Sequence, residues 1–254
     1  MNVWLATVLK VGVLTGTALM LYSKISTGTL TYYINQRFVW LPFVALIIVV
    51  MLALATTYRL FMQPKSASTH SHDHEDEAGH EHVHNTSWLT LGALLVPVVF
   101  GLLAPTKPLG ASALGTRGIS QEAPVREAGT IKLSTPSKTD KNILDWLRDF
   151  SRTKDLNTFN GQTADVIGFV YNDPKAGAGR FWVARFTVSC CVADANAIGM
   201  LVQTHTSPND LQTDQWVRVV GKIAIVEFDG EQMPIIVASK IEPTVMPENP
   251  YLQP

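Results

Sequence analysis

No acidic residue occurs before Asp73, and over residues 1–62 the only charges are Lys10, Lys24, Arg37 and Arg59. Charged residues make up 16% of the whole chain, against roughly 25% in an ordinary soluble domain. The shortfall lies in the N-terminal part and excludes a conventional water-facing domain there. Cysteine is equally scarce. The two present, Cys190 and Cys191, are adjacent, so no disulfide framework staples the fold. A net charge of -1 over 254 residues excludes a bulk attraction to nucleic acid or anionic lipid, so any electrostatic role has to be local. Histidine is sparse outside one segment: six of the seven lie between positions 70 and 84.

What fills the N-terminal part is apolar. Residues 38–58 carry no charge and are rich in Val, Leu, Ile and Ala, and a hydrocarbon core of about 30 Å takes roughly 20 helical residues. Pro42 falls near the first turn, where a missing N–H costs little, and Arg59 is placed to snorkel. A first span is expected over residues 3–22, with Lys10 snorkelling from about two turns inside. Neither a basic leading region nor an A-x-A site marks it as a cleavable signal. A third span is expected over 88–104, opening on Trp88, kinked at Pro97 and stopped by Pro105. Residues 1–104 therefore read as a membrane α-helical region of three transmembrane helices. Lys24, Arg37, Lys107 and Arg117 outnumber Arg59 and Lys65, which places the C-terminal domain in the cytoplasm by the positive-inside rule. With no carboxylate or His in any span, the helices read as an anchor rather than a pore.

The loop over residues 66–86 carries the chemical signal. It holds His70, His72 and His74, then His80, His82 and His84, separated by Asp and Glu. Imidazole is mostly neutral at pH 7 and free to coordinate. Donors of this kind suit Zn or another divalent transition metal without selecting one. The two tracts lack the fixed spacing of a closed tetrahedral site, so they read as a capture arm for a divalent metal ion.

Residues 105–137 are rich in Gly, Pro, Ser, Thr and Ala and read as a linker. Within the soluble domain, 138–254, Ile143, Leu144, Leu147 and Phe150 form one face of a short amphipathic helix. Five β-rich runs follow, at 164–171, 181–190, 200–204, 216–226 and 234–241. Five strands with a longer connection between the third and fourth predict an all-β OB-like barrel with one short helix, or else a short sandwich. Phe181, Trp182 and Trp216, interleaved with Arg180, Arg185, Arg218 and Lys222, invite a base-stacking reading. Aromatics in short strands are usually core, however, and no nucleic-acid partner is expected.

Cys190 and Cys191 are the remaining local feature. Successive strand residues face opposite ways, so the two thiols chelate one ion together only if the strand ends or bulges there. The plain reading makes both buried small hydrophobes. The functional one puts Cys191 and Asp194 at a metal or thiol site on the turn leaving the strand, with His205 a third ligand from the next loop. No His or Asp forms an evident base–nucleophile pair with either thiol, so the chain does not read as an enzyme.

Several blocks then fall in a familiar order: Ser26-Thr27-Gly28-Thr29-Leu30-Thr31-Tyr32-Tyr33-Ile34-Asn35, the His-rich loop, Gly168-Phe169-Val170-Tyr171 and Val183-Ala184-Arg185-Phe186. They continue as Cys191-Val192-Ala193-Asp194, Gly199-Met200-Leu201-Val202 and Trp216-Val217-Arg218-Val219-Val220-Gly221. In these the chain resembles the YcgQ-like family of bacterial membrane proteins, regarded as subunits of a two-component permease. The resemblance implies a multi-spanning permease subunit as partner in the bacterial cell membrane and a link to transition-metal handling, zinc first. It carries Cys191 and Asp194 but not Cys190, and so implies a single-cysteine role.

Overall fold

The computed structural model describes residues 3–62, 88–103, 106–121, 141–204, 211–228 and 230–254. They fall into two units: Met1–Leu30 with Arg37–Thr106, and Thr31–Gln36 with Lys107–Pro254.

The first unit is helical, with α1 (Val3–Ser26), α2 (Trp40–Met62) and α3 (Trp88–Leu103). An α-helix closes all its backbone hydrogen bonds within one segment, which an apolar surrounding demands. Hydroxyls follow the same rule: Thr17 donates to the Val13 carbonyl, Thr56 to Leu52 and Thr57 to Ala53. No α2 residue is buried within the protein, and Ile47, Met51 and Phe61 are all exposed. A helix apolar all round needs an apolar surrounding. Packing of α1 on α3 uses glycines, Gly16 facing Val98 and Gly101 facing Met20.

Among the described residues, two helices are long and apolar enough to cross a bilayer, over Thr7–Ser26 and Gln36–Met62. This corrects the expected three transmembrane helices. Over its described residues α3 has 16 residues, about 24 Å at 1.5 Å per residue, against a core of about 30 Å.

The second unit is a six-stranded mixed sheet of β1 (Thr163–Tyr171), β2 (Arg180–Thr187), β3 (Asn196–Gln203), β4 (Trp216–Phe228), β5 (Glu231–Pro243) and β6 (Tyr251–Leu252). The pairings β1–β4, β4–β5, β2–β3 and β1–β2 are antiparallel, β3–β5 is parallel, and together they close a ring of five strands. Strand β6 adds to β2 in parallel, outside the ring. The expected all-β OB-like barrel with one short helix is corrected to this mixed six-stranded sheet. Among the described residues it carries two α-helices, α4 (Ala111–Arg117) and α5 (Ile143–Arg152). Two residues of β6 are too few to show a period in sequence, which is why that strand went unread.

Alternation decides which strand faces are buried. Val217, Val219 and Ile223 of β4 point inward with Phe181, Val183, Ile198, Met200 and Ile236. Helix α5 lays Ile143, Leu144, Trp146, Leu147 and Phe150 over that core. Its start is set by a capping box in which the Asn142 side chain accepts from the Asp145 N–H and the Asp145 carboxylate from the Asn142 N–H. A second cluster joins Phe169 and Phe186 to Ala111 and Leu114 of α4, inside the segment read as linker. Close strand contact also selects glycine: a Cβ on Gly168 would meet the Ala184 carbonyl at 2.6 Å.

Candidate thiol–carboxylate site

Strand β2 stops at Thr187, and Val188 N–H already bonds the Leu252 carbonyl rather than β3. The chain then bends through Ser189 and Cys190, and Cys191 starts a single 3-10 turn, Val192–Asp194. The Asp194 carboxylate reaches back over that turn. Its Oδ1 accepts from Ser189 N at 2.8 Å, and its Oδ2 accepts from Cys190 N at 2.7 Å and Cys191 N at 3.3 Å. One carboxylate thereby satisfies three N–H groups that the end of the strand releases.

This turn is what brings the thiols together. Cys190 Sγ lies 3.7 Å from Cys191 Sγ, Cys190 exposed and Cys191 half-buried. The donor atoms of Cys190, Cys191 and Asp194 all lie within 4.8 Å of one another. The plain reading of two buried hydrophobes fails here, because the strand ends three residues before the expected 190 and the opposed-face rule no longer applies. Cys191 and Asp194, paired from sequence, do lie together. Cys190 joins them.

Charge follows from the geometry. The Cys190 thiol is pushed up to about 11, first by its hydrogen bond to Asp194, next by the one to Cys191. Partial burial pulls Asp194 upward, but hydrogen bonds from the Cys190 thiol and the three backbone N–H groups outweigh it and hold the carboxyl below its usual range. At neutral pH the cluster is thus a carboxylate with a protonated Cys190 beside it.

A six-residue strap, Thr31–Gln36, backs the turn. Asn35 N–H donates to the Cys190 carbonyl (3.0 Å), Val192 N–H to the Tyr33 carbonyl (2.9 Å), and the buried Asn35 amide to the Val188 carbonyl (2.8 Å). On its other side Tyr251 Oη donates to the Tyr32 carbonyl and accepts from Leu109 N–H, and Gln36 bonds Asn249. Sequence reasoning missed the strap. Its only signal was the block of residues 26–35 counted in the family resemblance.

The remaining candidates are placed as follows. His70, His72, His74, His80, His82, His84 and His205 lie outside the described residues. Phe181 and Trp182 are buried. Arg185 is buried under Trp216 and bonds the Asn249 and Pro250 carbonyls; burial lowers its guanidinium to about 10. Arg218 pairs with Asp165.

Bilayer-length apolar helices and a mixed-sheet domain bearing a thiol–carboxylate turn define a class of membrane-associated two-part chains. The chain belongs to the DUF1980 family: residues 9–120 match the DUF1980 N-terminal domain and residues 121–254 the DUF1980 C-terminal domain. It is similar to the UPF0703 protein YcgQ of Bacillus subtilis, 25% identical over 279 aligned residues covering 94% of this chain and 97% of that protein. It is also similar to a Streptococcus mutans protein named "Putative two-component membrane permease complex subunit", 26% identical over 272 aligned residues covering 91% and 93% of the two chains. The YcgQ-like resemblance read from sequence blocks is borne out. No solved structure matches the chain.

Proposed function

We propose that this chain is a non-catalytic accessory subunit of a membrane permease complex, and that its His-rich loop captures a divalent transition metal, zinc first, for that complex. The observation that carries the subunit role is end-to-end similarity to the Streptococcus mutans relative, whose name states such a role. The apolar α1 and α2 supply the anchor. Six imidazoles within fifteen positions supply the donors for capture. In sequence, Lys24, Arg37, Lys107 and Arg117 outnumber Arg59 and Lys65. The positive-inside rule then favours a cytoplasmic sheet domain.

The test is purification of the tagged full chain from its own membranes with metal analysis of what co-elutes. A stoichiometric multi-spanning partner is expected, with bound metal that falls when the six loop histidines become Ala. Absence of any membrane partner would overturn the subunit role; unchanged metal content and uptake in the six-Ala chain would overturn capture. A second reading, a membrane-tethered interaction module without a metal role, draws on the self-contained sheet domain. It is favoured if deletion of residues 66–86 leaves the partner bound and the cells' metal tolerance unaltered.

A further inference from the structure

We propose that Cys190 and Cys191 form a second, independent metal site: a two-thiolate chelate for a tetrahedral, thiophilic divalent cation of the Zn(II) or Cd(II) class, open on its solvent side. Two sulfurs each about 2.3 Å from a tetrahedral centre stand about 3.8 Å apart, whereas across a linear centre they stand about 4.6 Å apart. The observed separation is 3.7 Å. The bite therefore suits a four-coordinate divalent ion and not a digonal monovalent one.

The turn is built to hold that bite. The Cys190 carbonyl and the Val192 N–H, on either side of Cys191, are both tied to the strap, and Asp194 gathers the N–H groups of both cysteines. A carboxylate has about four acceptor sites. Three of those on Asp194 are occupied by backbone, so Asp194 is a positioning residue and the sulfurs are the ligands. On binding, each S–H gives its proton to solvent and each thiolate takes one coordination position. The ion keeps two positions for water or for donors of another molecule, the arrangement of a transfer site rather than a sealed structural one.

The experiment uses the full chain in detergent with all six loop histidines replaced by Ala, titrated with Cd(II) and followed by thiolate-to-cadmium charge transfer in the ultraviolet. Loop imidazoles give no such band, so failure here and failure of the loop's role are separable. One equivalent of Cd(II) is expected to saturate the band, with both Cys190→Ser and Cys191→Ser abolishing it. Asp194→Asn should keep the band, because the sulfurs and not the carboxylate are the ligands. As a check that needs no cysteine variant, Zn(II) should protect both thiols from iodoacetamide and a chelator should restore labelling. No band and no protection in a chain that keeps its thermal transition overturns the site, as does a band surviving in either Ser variant. Loss of the band in a folded Asp194→Asn chain overturns the positioning role and makes the carboxylate a ligand.

Discussion

Cys190 and Asp194 show how one residue pair sets the chemistry of a turn. The carboxylate is needed by the backbone, since it accepts three N–H groups. Being ionised, it disfavours the thiolate next to it, and the Cys190 thiol is held at about 11. The thiolate is the nucleophile, so iodoacetamide should modify Cys190 slowly at pH 8 and about ten-fold faster per pH unit until about 11. Asp194→Asn removes the largest cause of the shift and should raise the pH 8 rate, read by peptide mass spectrometry. A rate already flat above pH 8 would contradict the assignment. Nothing in the sequence showed this pair by charge alone. Asp194 stood out with Cys191, as part of the turn leaving the strand and of the Cys191-Val192-Ala193-Asp194 block in the family resemblance.

Helix α5 was legible at the scale of the element, and the reason is local. Ile143, Leu144, Leu147 and Phe150 repeat at helical spacing, and all four are buried. The Asn142–Asp145 capping box satisfies the first N–H groups. Asn142→Ala should therefore cost about 1 kcal/mol, measured as a lowered midpoint in urea, while Asn142→Asp should leave it nearly unchanged. Strand ends were less legible. The end of β2 is set by the Leu252 carbonyl taking the Val188 N–H, a partner 64 residues away that periodicity does not register. The third apolar run, expected as a transmembrane span over 88–104, is a helix over Trp88–Leu103 that is not among the two described helices long enough to cross a bilayer.

Across the whole molecule, the strap matters most. Residues 31–36 come between α1 and α2 in sequence yet belong to the sheet unit. In a chain with both native cysteines changed to Ser, Gln36→Cys and Asn249→Cys should be joined efficiently in membranes by a short thiol cross-linker, seen as a gel shift after cleavage between the two sites. The bond between Gln36 and Asn249 predicts this, and failure to cross-link would mean that the strap does not seat on the domain.

The sequence by itself determined the apolar N-terminal region, α5 and most strands, because apolar content and helix or strand period are properties of neighbouring residues. Tertiary structure alone decided the closure of the five-strand ring, the parallel addition of β6, the docking of the strap and the exposure of Cys190. Each of these depends on hydrogen bonds between segments far apart in the chain. The two adjacent thiols are the clearest case. A strand would have sent them to opposite faces, and only the loss of β2 pairing after Thr187 turns them to the same side.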